Sequence, residues 1–193
     1  MLRREKSNIG KKMIVYFIGI TMVFSVFGVI FFGFGAGSSG TVKYNGFKFV
    51  DKGNFWSVNV NGREALFTYL PDEAASINVE SSAVDRLKNV VQIDTTSEFN
   101  DTLAEPIALA QFQMGTTLFN FNIFVRSGFT SEYPNFPTIT CKDATQFVPV
   151  IYFKESNATN VHIENNCIIA EAANAADAIR LKDRLVYGIL GII

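Results

Sequence analysis

Hydrophobic and polar positions divide this chain into one unbroken apolar run followed by many short alternating ones. Met13 to Phe34, MIVYFIGITMVFSVFGVIFFGF, holds no charge, Asn, Gln or Pro over 22 residues. A run of roughly 18 or more apolar residues is long enough to cross a bilayer as a helix, and a helix satisfies its own backbone where water cannot. Tyr16 near its start suits the headgroup interface. Thr21 and Ser25 stand four apart on one face, a spacing that lets a second helix come close. The segment GAGSSG then reads as a flexible linker over 35–41.

Beyond the linker the period changes to two. Val42, Tyr44, Phe47 and Phe49 alternate along Val42–Val50, and Trp56, Val58 and Val60 alternate again after a turn at Gly53-Asn54. Asn61-Gly62 is a strong hairpin signal because both residues tolerate positive φ. The chain returns along Glu64–Leu70, which completes a three-stranded antiparallel meander. A short extended piece at Ser76–Glu80 leads to a helix over Ala83–Asn89, with Ser81 or Ser82 as its cap and Asp85 in a capping box. Val90–Asp94 reads as a strand. A longer helix runs from Thr102 to about Phe119, with Ala108, Phe112, Gly115 and Phe119 on one face. Phe119–Val125 fits either a continued helix or a strand. After the polar loop 127–138, strands are expected at Gln146–Phe153, Thr159–Glu164 and Cys167–Glu171. A last helix is capped by Asn174, with Asp177 in support. Its core face is Ala178, Leu181, Leu185, Ile189 and Ile192, and Arg180, Lys182 and Arg184 point elsewhere.

Charge orients this layout. Arg3, Arg4, Lys6, Lys11 and Lys12 precede the apolar run against one Glu5, and no charge follows it until Lys43. Basic flanks stay in the cytoplasm. The expectation is therefore a cytoplasmic tail over 1–12, a single pass over 13–34, and an extracellular domain over 42–193. A cleaved signal peptide fits less well. Its apolar core would be about 7–15 residues long, and a cut after Ala36 would place bulky Phe34 at the −3 position. A pilin leader would want an acidic residue early in the helix, and none stands there. Without the tail the chain carries 12 basic and 17 acidic residues. That mild negative balance repels phosphate backbones, so nucleic acid is not an expected partner.

Candidate chemistry is sparse. Gly35, Gly37 and Gly40 match G-x-G-x-x-G, but that spacing means a dinucleotide site only between a strand and a helix, and here it precedes a strand. Cys141 and Cys167 are the only cysteines. An even pair outside the membrane is expected to oxidise; two buried thiols or a redox or metal site are the rival readings. Metal binding wants more ligands at close spacing, and His162 is the one histidine. It sits mid-strand, and no nucleophile elbow accompanies it. Asn100-Asp101-Thr102 and Asn157-Ala158-Thr159 match the N-glycosylation acceptor pattern. No catalytic, cofactor or metal residues stand out.

The stretches TITCKDAT, VPVIYFK, CIIAEA and LKDRLVYGILGI, with Tyr-Asn-Gly-Phe-Lys-Phe at Tyr44–Phe49, resemble a group of small, uncharacterised single-pass archaeal membrane proteins. These share an amino-terminal anchor and a carboxyl-terminal paired-Cys α+β domain. The resemblance implies an archaeal surface location and no particular activity. The fold class expected is α+β: an N-terminal transmembrane helix followed by one extracytoplasmic domain of antiparallel sheet plus helices. The role expected is a structural or protein-interaction module, such as a subunit of a cell-surface assembly, whose partners are the lipid bilayer and other proteins or further copies. An outer-face hydrolase and a pilin-like assembly subunit are the alternatives.

Overall fold

The structure, a computed structural model, describes residues 40–193. The tail 1–12, the apolar stretch 13–34 and most of the linker lie outside the described residues.

Residues 41–67 form a four-stranded antiparallel meander in the order β1 (Thr41–Tyr44), β2 (Phe47–Asp51), β3 (Trp56–Val60) and β4 (Arg63–Phe67). The stretch expected as one strand over Val42–Val50 is two. Asn45 (φ 44°) and Gly46 (φ 83°) turn the chain between them, just as Asn61 (φ 52°) and Gly62 (φ 81°) turn it between β3 and β4. Positive φ at both central residues is what a two-residue hairpin requires.

Next come α1 (Pro71–Ala75), β5 (Asn78–Val79), α2 (Ser81–Leu87), β6 (Gln92–Ser97), α3 (Ala104–Phe119) and β7 (Phe124–Phe129). The open choice over Phe119–Val125 resolves with the helix ending at Phe119. Ser82 does not cap α2: the N-cap is Glu80, and the Ser82 hydroxyl donates to the Glu80 carboxylate instead. A 3-10 turn at Cys141–Asp143 precedes β8 (Val150–Glu155), β9 (Asn160–Glu164), β10 (Cys167–Ala172) and α4 (Ala175–Ile189). Asn174 caps α4 as its sequence promised, accepting the Asp177 N–H at 3.0 Å.

The expected fold class needs correction. Among the described residues no helix is long and apolar enough to cross a membrane, and the 13–34 stretch behind that expectation lies outside them. The sheet is not simply antiparallel either. The second sheet has six strands in the order β5-β9-β10-β8-β6-β7, and only β9–β10 is antiparallel. The physical reason lies in β8 and β6. In β8, Val150, Ile151 and Phe153 are buried, and in β6 Ile93 to Ser97 are buried without interruption. Strands covered on both faces belong in the middle of a parallel array. So β8 does not pair with β9 as a hairpin; β10 lies between them.

Each face of the large sheet has its own cover. Ile151, Phe153, Ile168 and Ala170 join the main core with α3 and α4. The alternate positions, Val150, Cys167, Ile169 and half-buried Tyr152, pack with Ile139, Cys141 and Ala144 in a second cluster. A disulfide joins Cys141 to Cys167 and so fastens this loop cover to β10. On its other side α4 meets the small sheet, where Phe49 and Phe67 contact Tyr187.

Candidate functional site

The helix α3 is apolar on two sides. Ile107, Ala110, Met114 and Leu118 point into the core. Leu109, Phe112 and Phe119 also recur at helical spacing, and they are 48%, 70% and 72% exposed. The face that the sequence picks out, with Phe112 and Phe119, is therefore the outward one. Two apolar stripes on one helix allow two rotations by sequence alone. Neighbours decide between them: β7 and α4 pack against α3, on the side of its Ile107–Leu118 stripe.

Beside the outward stripe runs β4, an edge strand. Side chains of α3 satisfy part of its open edge: Thr117 Oγ1 donates to the Leu66 carbonyl at 3.3 Å and Asn120 Nδ2 to the Glu64 carbonyl at 3.1 Å. Leu66 faces away from the meander's core, because Ala65 and Phe67 on either side of it are buried. The result is a groove of about 310 Å³ between β4 and α3. Phe55, Leu66, Leu109 and Phe112 form its apolar lining, with Gln113, Thr116 and Thr117 among them. Ligand pockets of this kind start at roughly 300 Å³ and combine an apolar wall with a few placed polar groups.

One lining residue is charged. Lys182 on α4 is 1% exposed and pairs with Asp183 through its ammonium. The Asp183 carboxylate also accepts the backbone N–H groups of Thr68 at 3.0 Å and Tyr69 at 2.8 Å. Burial pushes the Asp183 carboxyl above its ordinary value, against the opposing pull of Lys182 and the two amides. An isolated charge in such a place is costly, so buried ions occur paired and hydrogen-bonded. Its helical position sets Lys182 off the core face of α4, and long basic side chains are mostly exposed, so its burial is not legible in the sequence. The one hint was that Lys182 and Asp183, of opposite charge, stand next to each other between core-facing Leu181 and Leu185.

The residues singled out in the sequence gather elsewhere. Cys141 and Cys167 are joined on the far face of the large sheet. His162 on β9 is partly exposed, with Nδ1 2.9 Å from Asn160 Oδ1 and 4.0 Å from a Glu171 oxygen. Asn100 and Asn157 are exposed and lie on two loops that meet at the carboxyl ends of β6 and β8. Thr102 donates there to Glu155, and the Glu155 N–H donates to Asp101 at 3.0 Å.

That strand end is also where an open α/β sheet places ligands, since β6 continues to β7 on one side and has β8 on the other. Three carboxylates collect in it, each with a protein donor. Asp101 accepts from Leu103 N at 2.7 Å and from Glu155 N; Glu155 accepts from Thr102; Glu98 accepts from the Tyr152 hydroxyl at 3.0 Å. Burial and Glu98 push the Tyr152 phenol up to about 12. Among the described residues no group of three His, Cys, Asp or Glu side chains is arranged to hold a metal ion.

The groove is thus the place where exposed apolar surface, a concave shape and a buried charge coincide. No family model matches the chain, and neither curated proteins nor solved structures give a significant match to it.

Proposed function

We propose that the chain is a membrane-held, extracytoplasmic binding module whose working surface is the groove between α3 and β4. The observation that carries this reading is Phe112: a large apolar side chain, 70% exposed, at the rim of a concave apolar lining. Contiguous exposed apolar surface on a folded domain marks a recognition site. The location is supported by the uncharged stretch Met13–Phe34 behind a basic tail, and by the Cys141–Cys167 disulfide, a bond that persists in oxidising compartments.

An outer-face hydrolase draws less support. The carboxylates that the fold collects, Glu98, Asp101 and Glu155, already accept protein donors. Asp101 has both oxygens bound to backbone N–H groups, an arrangement that fastens the two loops together.

Two measurements test the proposal. Protease added to intact cells should remove residues beyond 41 from the full chain. An apolar fluorescent dye should bind the full chain and be lost from Phe112→Glu, with the thermal transition unchanged. Protection of the domain in intact cells, or dye binding indifferent to Phe112→Glu, would overturn it.

A further inference from the structure

The loop that leaves β7 carries a second aromatic surface, which shares no residue with the groove. Residues 131–138 are exposed without interruption. Backbone hydrogen bonds nevertheless fix their path. The Phe136 N–H donates to the Tyr133 carbonyl at 3.2 Å, across Pro134 and Asn135 (φ 65°). Proline followed by a residue of positive φ is the pattern of a type II turn. The Phe129 N–H donates to the Pro137 carbonyl at 3.0 Å, and the Ile139 N–H to the Phe129 carbonyl at 2.8 Å. Gly128 permits this approach, because a Cβ there would overlap the Pro137 carbonyl oxygen.

The fixed turn gathers four rings. Half-buried Phe129 is the hub, with its centroid 5.0 Å from Tyr133, 5.2 Å from Phe136 and 6.4 Å from Phe99. Phe99, Tyr133 and Phe136 are exposed. Tyr and Phe are enriched at protein interfaces, and side chains already held in place lose little freedom on binding. Small-molecule sites, by contrast, are concave and enclose most of their ligand. The depression beside this turn, about 430 Å³, is lined by Glu132, Tyr133, Pro134, Phe136 and Thr138, all of them exposed. An open site of this kind suits one side chain of a larger partner.

Charge selects that side chain. Over residues 89–141 the chain has one basic residue, Arg126, and it is bound to Asp94. Glu98, Asp101, Glu105 and Glu132 stand in the same stretch. Glu98 and Glu132 are the sequence neighbours of Phe99 and Tyr133, whose ring centroids are 5.4 Å apart. Glu132 takes part in none of the ion pairs among the described residues. A surface of one sign repels anionic lipid, nucleic acid and acidic peptides, and it draws cations. Aromatic faces attract cations as well. An exposed ion pair alone contributes little, so the best complement uses ring and carboxylate together. A guanidinium does both: it is planar, stacks on aromatic faces and pairs with a carboxylate through two N–H groups, whereas an ammonium is a point charge.

We infer that the turn at 133–136 docks a protein partner through an exposed arginine, whose guanidinium lies against Tyr133 and Phe136 and pairs with Glu132.

The test uses the full chain in nanodiscs of zwitterionic lipid, with empty nanodiscs as the reference. Short Arg-Gly, Lys-Gly and Glu-Gly repeat peptides are titrated by calorimetry at low salt. The Arg-Gly peptide should bind about tenfold or more tightly than the Glu-Gly peptide, and about threefold or more tightly than the Lys-Gly peptide. Glu132→Gln and Phe136→Ser should each weaken the Arg-Gly peptide by about fivefold or more. Glu132 is exposed, so Glu132→Gln keeps the test open if Phe136→Ser fails to fold. Equal binding of the Arg-Gly and Lys-Gly peptides would overturn the assignment to arginine. No binding of the Arg-Gly peptide at millimolar concentration beyond empty nanodiscs, binding indifferent to Glu132→Gln, or tighter binding of the Glu-Gly peptide would overturn the docking surface itself.

Discussion

The ring of Tyr187 lies over that of Phe67, with centroids 4.0 Å apart and planes 20° from parallel. Its hydroxyl continues past the stack and donates to the Tyr69 carbonyl at 2.6 Å. One side chain of α4 therefore joins the small sheet both by packing and by a hydrogen bond, with Phe49 edge-on at 6.0 Å. The two contributions separate by substitution. Tyr187→Phe keeps the stack and leaves the Tyr69 carbonyl without this donor, at a cost of about 1–2 kcal/mol. Tyr187→Ala also opens a cavity among buried rings and should cost about 3–5 kcal/mol. Urea unfolding of both variants checks this, and equal losses would mean that the stack contributes little.

Tyr152 offers a titration with a defined sign. Its phenol is pushed up to about 12 by burial and by the neighbouring Glu98 that accepts its hydrogen bond. In the unfolded chain it ionises near 10. Its contribution to stability is therefore fully present below about 10 and is lost as pH rises through about 12. Tyrosinate absorbance of the folded protein should contain a late step near 12 that vanishes in Tyr152→Phe. That variant should also lose less stability than the parent between pH 10 and 12.

Reduction of Cys141–Cys167 should weaken the fold without dismantling the main core. The bond closes a loop of sequence separation 26, worth between roughly 3 and 4 kcal/mol in the chain-entropy account. The second cluster, Ile139, Val150, Cys167 and Ile169, is the part it holds down. Native-state hydrogen exchange in the presence of a reductant should speed up first in residues 139–144. A uniform acceleration across α4 and the small sheet would contradict this.

Much of the fold was legible because it is locally encoded. Asn61-Gly62 marked its hairpin, and Asn174 with Asp177 marked the start of α4, since both rest on side chains within a few residues. Asn45-Gly46 carries the same turn signal, but it sits inside an alternating stretch that reads as one strand. Register between distant strands was harder. Nothing near Val150 states that its neighbours are β6 and β10 rather than β9; only the unbroken apolar run through Phe153 hinted at a central strand. The groove was hidden by two ambiguities. The helix α3 has two apolar stripes, so its rotation depends on β7 and α4. Lys182 has the composition of a surface residue, and only the amides of Thr68 and Tyr69, more than a hundred positions away, explain why Asp183 and then Lys182 are buried beside them.

That pair gives the last prediction, in which the two partners are unequal. Asp183→Ala leaves the Lys182 ammonium and two backbone N–H groups without their acceptor, and breaking a buried ion pair this way costs about 3–5 kcal/mol. Lys182→Met leaves Asp183 with Thr68 and Tyr69 still donating, so it should cost less. The pH dependence follows from the raised Asp183 carboxyl, whose main cause is burial, offset by Lys182. A carboxyl raised in the folded state favours folding below the ordinary aspartate value near 3.8. That advantage is lost as pH rises through the folded-state value. Removing Lys182 takes away a charge that lowers the folded value, so the loss grows and extends to higher pH. Lys182→Met should therefore be most destabilised relative to the parent near neutral pH and recover on acidification, as Asp183 takes up a proton. Denaturant unfolding of both proteins between pH 4 and 8 reads this directly, and a stability difference independent of pH would mean that Asp183 does not change protonation in that range.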